Sequence, residues 1–180
     1  MTKLLLSLHV LAAILAVGPI AVAASMFPRL ARLSAAPAGA AVGASGADGM
    51  DGMERTDGAD GASEEGGRGA AGAVLLHRIC RAYAVVGVSV PVLGIATGAQ
   101  LGVLTDAWLL ASLVLTMLAA VLLGAVILPA QSRLLESPPP DESGIRALTG
   151  RLAGLTGVFN LVWAIVVVLM IVRPGSTTGA

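Results

Sequence analysis

Four long stretches of this sequence contain no Asp, Glu, Lys or Arg, and they constrain the fold more than any other feature. They occupy residues 4–27, 82–104, 108–128 and 152–172. Each is long enough to cross the roughly 30 Å hydrocarbon core of a bilayer, which takes about 20 apolar residues. Because backbone polar groups inside lipid must be satisfied within the chain, each stretch is expected to be helical. The sequence therefore predicts an all-α transmembrane four-helix bundle whose helices run up and down.

The composition agrees with a multi-pass protein of the cell membrane and argues against other classes. Of the 180 residues, 56% are hydrophobic and 12% are charged, whereas soluble domains carry about 25% charged residues. The formal net charge is zero, so no basic excess favours nucleic acid as a partner. The expected partner is the lipid bilayer itself. The single cysteine, Cys80, excludes an intrachain disulfide.

Composition also divides the chain into four parts. Residues 1–33 form the first transmembrane helix with its basic flank, and residues 74–174 contain transmembrane helices 2–4. Between them, residues 34–73 are rich in Gly, Ala and Asp and show no apolar period, which predicts a long disordered loop. Its acidic residues recur at every third position, unlike those of a calcium-binding loop. Residues 175–180 are predicted to be a flexible tail.

The basic residues predict the orientation of the bundle. The loops after the first and third helices carry nine arginines: Arg29, Arg32, Arg55, Arg68, Arg78, Arg81, Arg133, Arg146 and Arg151. The opposite side carries only Lys3 and Arg173. Because cytoplasmic flanks of membrane helices are enriched in basic residues, both long loops are predicted to be cytoplasmic and both termini outside.

Residues at the ends of the helices are candidates for contact with lipid head groups. Arg29, Arg78 and Arg81 are expected at one membrane interface, and Trp108 is expected at the other as an aromatic anchor. A cleaved secretory signal is the alternative interpretation of the first helix, since residues 21–23 are small and resemble a cleavage site. The apolar run continues past that site to residue 27, which favours an uncleaved helix.

Small residues predict where helices approach one another closely. Gly94, Gly98 and Gly102 form G-xxx-G twice on one face of the second helix. The fourth helix starts with a similar spacing at Gly150, Gly154 and Gly157. Packing within the chain is the preferred explanation, and a homo-oligomer is the alternative. Asn160 is expected to form a hydrogen bond between helices.

His9 is the main candidate for chemistry, because polar groups inside a span are costly and mark candidate sites. It lies about two turns into the first helix, on a face with Ala13 and Ala16. A neutral imidazole there can bind haem iron or a transition metal. The alternative is a histidine hydrogen-bonded to a neighbouring helix. His77 is predicted roughly 20 Å or more away, toward the opposite membrane face, so the two cannot hold one metal.

Other polar or soft side chains extend this hypothesis. Thr97 and Gln100 lie on the second helix near the level predicted for His9. Met117 and Met170 are possible soft metal ligands, although methionine in apolar helices usually serves packing.

Several short segments resemble small bacterial four-helix membrane proteins. They are Leu8-His9-Val10-Leu11 with Ile14 and Gly18, Phe27-Pro28-Arg29-Leu30, and the C-terminal run from Trp163 to Pro174. In these segments the chain resembles the predicted integral membrane protein family named domain of unknown function 2269. The resemblance covers the four spans without the glycine-rich loop, and it implies a four-helix fold.

The same opening is similar to HemJ-type protoporphyrinogen oxidases and to the copper-resistance D membrane domain. That resemblance implies a haem ligand at His9 and a counterpart of the family's proline–arginine pair at Pro28 and Arg29. HemJ-type proteins also rely on an intramembrane lysine. The only lysine here is Lys3, before the first span, so the resemblance implies the fold more strongly than the oxidase activity.

Three functions remain open at this stage. The sequence shows no nucleophile–base arrangement and no phosphate-binding loop, which favours a non-enzymatic membrane protein with a structural, binding or accessory role. A membrane bundle that binds haem b or copper through His9 is the first alternative. A small-solute transporter subunit is the second, although proton-coupled transport usually needs more buried ionisable groups than this sequence offers.

Overall fold

The protein is built from four long helices. The computed structural model describes residues 2–35 and 55–175 of the chain, and those residues contain no β-strand. The elements are α1 (Thr2–Ala35), α2 (Arg55–Gly87), α3 (Ser89–Leu101), α4 (Ala107–Val121), a π-helical turn (Leu122–Ile127), α5 (Leu128–Glu136) and α6 (Glu142–Val172). α2 and α3 together form one span, and α4, the π turn and α5 form another. The predicted all-α, four-helix arrangement is confirmed.

All four spans are apolar and long enough to cross a membrane. They are Lys3–Ala35, Gly66–Leu101, Ala107–Glu136 and Glu142–Val172. A span of about 30 residues measures roughly 45 Å at 1.5 Å per residue, so each exceeds the roughly 30 Å hydrocarbon core. The extra turns lie at the end of the bundle that carries most of the arginines, here called the arginine-rich end. The opposite end, where α1 begins and α6 stops, is called the cavity end.

The glycine-rich part of the chain differs from the sequence expectation. Of the predicted disordered loop 34–73, residues 36–54 lie outside the described residues, while α2 already begins at Arg55. A Cβ added at Gly69 would lie 2.9 Å from the backbone nitrogen of Ser34 and 3.1 Å from the carbonyl oxygen of Leu30. Ala73, one helical turn after Gly69, is fully buried. Small residues let α2 pack directly against the backbone of α1, and this contact favours helix where composition alone favours disorder.

Proline residues account for the irregular points of two spans. Pro91 has no N–H, so the carbonyl of Gly87 loses its usual partner. The span tightens there, and the Val88 N–H donates to the Val85 carbonyl at 3.2 Å. In the third span the π turn immediately precedes the first turn of α5, which contains Pro129. The helix continues past that proline to Glu136.

The four spans pack in a cyclic order that leaves one end looser than the other. α1 packs along α2 and α3 on one side and along α6 on the other, and α6 also packs on α4. The largest buried side chains are aromatic and aliphatic, among them Phe27, Ile127 and Phe159. This apolar core fills the middle and the arginine-rich half. The cavity end instead contains an open volume. Many large apolar side chains, such as Leu15, Val114 and Val168, face outward, as lipid contact requires.

The predicted small-residue contacts separate into two groups. A Cβ on Gly94 would meet the His9 ring, and one on Gly98 would lie 2.8 Å from a methyl carbon of Leu109. Gly102 has nothing within 4 Å and instead ends α3 with a φ of 69°, a left-handed conformation that glycine adopts without steric cost. The predicted glycines of the fourth helix also have open space where a Cβ would be: Gly150, Gly154 and Gly157.

Candidate functional site

His9 is held at the contact between α1 and α3. Its Nδ1 lies 3.1 Å from the carbonyl oxygen of Val90. A carbonyl only accepts hydrogen bonds, so Nδ1 donates, and the neutral imidazole then carries its lone pair on Nε2. Gly94, one turn after Val90, makes room for the ring: its missing Cβ would lie 3.1 Å from His9 Cε1. The ring is therefore fixed in place and in tautomer, with Nε2 available as an acceptor.

The imidazole of His9 lines a cavity of about 780 Å³ at the cavity end of the bundle. This volume falls within the roughly 300–1,000 Å³ of small-molecule sites, and gaps between the helices of a bundle are a common place for them. α1, α3, α4 and α6 all contribute to the wall. Its deeper lining residues are mostly buried, including Thr97, Leu109 and Val166. The cavity is therefore a cleft between the helices, with a buried floor and an open side lined by exposed residues such as Ile14 and Ile171.

Both tryptophans of the chain line this cavity. The ring of Trp163 packs edge-on against Phe159, with 6.3 Å between ring centroids. The Nε1–H of Trp163 is buried and has no hydrogen-bond partner among the described residues. A buried donor without an acceptor costs about 1–3 kcal/mol, so Trp163 marks a place where an acceptor is missing.

The second tryptophan is part of the cavity mouth. Trp108 Nε1 donates to a carboxylate oxygen of Asp106 at 3.0 Å. The guanidinium of Arg173 lies over the Trp108 ring, 5.6 Å from its centroid, which is a cation–π distance. Trp108, which the sequence predicts to be an aromatic anchor at the interface, is 6% exposed. Its burial follows from these contacts with the α3–α4 turn and the end of α6.

The other residues predicted to lie near His9 separate into two sets. Thr97 and Met170 line the same cavity as His9, and the Thr97 hydroxyl donates to the Leu93 carbonyl at 2.7 Å. Gln100 and Met117 are exposed and do not line the cavity. Gln100 lies about 60° round α3 from Thr97, on the side away from Gly94 and Gly98, and so falls beyond the face that lines the cavity.

The remaining predicted residues lie away from the cavity. Arg29, Arg78 and Arg81 are all exposed near the arginine-rich end. Pro28, the neighbour of Arg29, is buried within α1. Asn160 Nδ2 donates to Ser25 Oγ at 3.4 Å, which links α6 to α1.

A polar contact that the sequence does not predict lies in the other half of the bundle. His77 Nδ1 donates to the side-chain oxygen of Gln131 at 3.1 Å, and Ser132 Oγ lies 3.4 Å from His77 Nε2. Gln131 is 1% exposed. Both ring nitrogens of His77 have protein partners, in contrast to those of His9, so this histidine links α2 to α5. A glutamine directly after an apolar stretch was the signal in the sequence.

Fold and site together define a four-span α-helical protein with an apolar cavity that contains one histidine and two tryptophans. Among residues 2–35 and 55–175, no three His, Cys, Asp or Glu side chains come together as a metal-binding cluster. Comparison with protein-family models, curated proteins and solved structures finds no match to this chain. The resemblance to domain of unknown function 2269 and to HemJ-type proteins therefore stays a prediction.

Proposed function

We propose that this protein is a non-enzymatic membrane protein that binds an apolar molecule in the cavity around His9. The molecule would occupy a site bounded by α1, α3, α4 and α6 within one half of the bilayer. Such a protein acts as a binding or accessory component that holds its ligand away from water.

One observation carries the proposal: the intramembrane histidine and both tryptophans meet at a single cavity. Aromatic residues make up only 3% of the chain, and both of its tryptophans line this one site. Ligand sites are typically apolar with a few placed polar groups. His9 is such a group, because its Nδ1–H is used by the Val90 carbonyl and Nε2 remains as an acceptor.

Haem b bound through His9 is a second candidate that a specific observation favours. Metal-binding histidines usually donate their other ring N–H to a carbonyl or carboxylate, and His9 donates Nδ1–H to Val90 in this way. Met170 lines the same cavity and is a soft donor. Arg173 at the mouth is suited to a propionate group. One histidine and one methionine are a donor set that fits haem iron, whereas copper sites usually have additional ligands.

The proposed orientation places the cavity end outside and the arginine-rich end in the cytoplasm. The exposed arginines Arg29, Arg78 and Arg81 support this orientation through the enrichment of basic residues on cytoplasmic flanks. The ligand would then be held in the outer half of the bilayer.

Analysis of ligands that co-purify with the protein tests this function. The detergent-purified protein is examined by absorption spectroscopy, metal analysis and mass spectrometry of an organic extract. We expect about one apolar molecule per chain, and its loss in Ala13→Trp, which fills the cavity from α1. Leu11→Trp is the matched control, because Leu11 is 57% exposed and does not line the cavity. A Soret band that disappears in His9→Ala would identify haem. Equal extracts from Ala13→Trp and Leu11→Trp would reject the function.

A further inference from the structure

The contact between α1 and α6 holds two arginines of α1 at the outer surface of the bundle. Arg32 Nε donates to Thr149 Oγ1 at 2.8 Å. About three turns further into the bundle, Asn160 Nδ2 donates to Ser25 Oγ at 3.4 Å. Ser25, Arg29 and Arg32 share one face of α1, because they are four and three residues apart. Arg29 therefore lies beside α6, between these two contacts.

The charges of these two arginines are available to an anion. Arg29 and Arg32 are both exposed, and no carboxylate in the described part of the chain forms an ion pair with either of them. The bond to Thr149 uses only Nε of Arg32, so it orients the guanidinium and leaves its terminal nitrogens to face outward. Arg146 on α6 is different, because it is paired with Glu142 at 2.6 Å.

Beside these arginines, the outer surface of α6 carries almost no side chains. Three of its glycines have nothing within 4 Å of the position that a Cβ would take: Gly150, Gly154 and Gly157. Their spacing of four and three residues puts them on one face. Since α1 and α6 run antiparallel, the two hydrogen bonds between them place Gly154 about level with Arg29. A shallow groove therefore runs along α6 next to the arginines.

The groove continues from the arginines into apolar surface. About two turns further into the bundle, it passes between Val22 of α1 and Leu161 of α6, which are 60% and 61% exposed. A phosphate held by the arginines would therefore place an attached acyl chain on apolar side chains, whereas a free phosphate would leave that surface unused. Basic sites between membrane helices are typical binding places for anionic head groups, and the guanidinium fork matches phosphate oxygens.

From these observations we propose that the groove between α1 and α6 at the arginine-rich end binds one anionic phospholipid. Its phosphate accepts hydrogen bonds from Arg29 and from the terminal nitrogens of Arg32, and one acyl chain lies along Gly154 toward Leu161. The groove is on the outside of the bundle, away from the cavity around His9. The inference therefore does not depend on what the cavity binds.

Native mass spectrometry of the full chain, purified in detergent and freed of native lipid, tests the site. The probes are phosphatidylglycerol, which is anionic, and phosphatidylcholine, which is zwitterionic, with identical acyl chains. We expect phosphatidylglycerol to bind at least about 5-fold more tightly. Arg29→Gln and Arg32→Gln should each weaken phosphatidylglycerol binding by about 5-fold and leave phosphatidylcholine binding unchanged. Arg68→Gln is the matched control, because Arg68 is 80% exposed and paired with Glu64 on α2.

A second pair of variants tests the groove. Gly154→Leu fills it and should remove the preference for phosphatidylglycerol, whereas Gly67→Leu, also made at a glycine with open space, should keep it. Equal affinities for the two lipids in the unaltered protein would overturn the inference, as would equal losses in Arg29→Gln and Arg68→Gln. Displacement of the lipid by millimolar inorganic phosphate would show that the arginines bind a free anion instead. A dimer that Gly154→Leu dissociates would show that a second copy of the chain covers the groove, which would also overturn it.

Discussion

Gly69 of α2 lies directly against the backbone of Ser34 in α1, so that an added Cβ would be 2.9 Å from the Ser34 nitrogen. Backbone atoms cannot move aside as a flexible side chain does. Gly69→Ala should therefore force the two helices apart and lower the free energy of unfolding by about 2 kcal/mol. Thermal unfolding in detergent measures the loss. Gly67→Ala is the matched control, since Gly67 has nothing within 4 Å. Equal stability of both variants would contradict the contact.

The close contact between the His9 ring and Gly94 gives a second prediction. A methyl group at position 94 would lie 3.1 Å from His9 Cε1, while the hydrogen bond to Val90 holds the ring in place. We expect Gly94→Ala to lower stability by about 1 kcal/mol. At Gly154, where nothing lies within 4 Å, the same substitution should be neutral or stabilising, because alanine is the better helix former. Parallel thermal unfolding of the two variants checks the opposite signs.

A third prediction concerns the buried amide of Gln131. Gln131→Leu removes the acceptor for His77 Nδ1–H, and it leaves that donor without its partner in a half-buried position. We expect the free energy of unfolding to fall by about 1–3 kcal/mol. Gln100→Leu makes the same chemical change at an exposed position and should not destabilise the protein. If Gln131→Leu proved as stable as the unaltered chain, the hydrogen bond between His77 and Gln131 would not contribute to the stability of the α2–α5 contact.

The start of α6 should respond to acid. Asp141 accepts hydrogen bonds from the Ser143 hydroxyl and from the Gly144 N–H, the latter at 2.9 Å. The hydrogen bond from Ser143 lowers the pKa of Asp141 most, and the bond from Gly144 lowers it further, so that it lies below its ordinary value of 3.8. A lowered carboxylate pKa stabilises the folded state above that ordinary value, and the stabilisation is lost as the pH falls through the lower folded pKa.

Amide hydrogen exchange in the first turn of α6 measures this effect. Protection of the Gly144 amide should be higher at pH 6 than at pH 3 in the unaltered protein. Asp141→Asn keeps a capping oxygen without the charge, so its protection should change much less between these pH values. A pH response that is the same in both proteins would assign the effect to another group.

The proposed orientation is tested by cysteine labelling on intact cells. The native Cys80 is fully buried, so the unaltered protein should not react with a membrane-impermeant maleimide. Thr105→Cys, in the exposed α3–α4 turn, should be labelled from outside. Ser137→Cys, exposed between α5 and α6, should react only after the cells are permeabilised. The reverse pattern would invert the proposed orientation.

The four spans follow from the sequence because their apolar stretches have few alternatives to crossing a bilayer. The full lengths of the helices do not follow from the sequence, because the turns beyond the hydrocarbon core are polar and cannot be recognised by their hydropathy. The glycine-rich start of α2 shows why. Its composition favours disorder, and the compensating contact of Gly69 with Ser34 exists only once α1 is in place.

The candidate site was predictable in part. His9 is recognisable as a polar residue within an apolar stretch, and Thr97 follows from the up-down order of the helices. The cavity role of Trp163 could not be predicted, because Trp163 comes to line the same cavity as His9 only through the packing of α6 beside α1. Met117 and Met170 are equivalent by composition, and only the rotation of each helix assigns Met170 to the cavity.

The π-helical turn in the third span determines which side chains the two halves of that span direct inward. Gln131 follows Ser112 by nineteen residues, and in a regular α-helix they would point about 100° apart. Both are nevertheless buried, because the turn at Leu122–Ile127 takes up roughly one additional residue. Deleting a single residue from that turn would leave them eighteen residues apart, which is five full turns of an even α-helix, and Gln131 would still face His77. The π-helical turn thus sets the rotation of α5, which contacts α2, relative to α4, which lines the cavity.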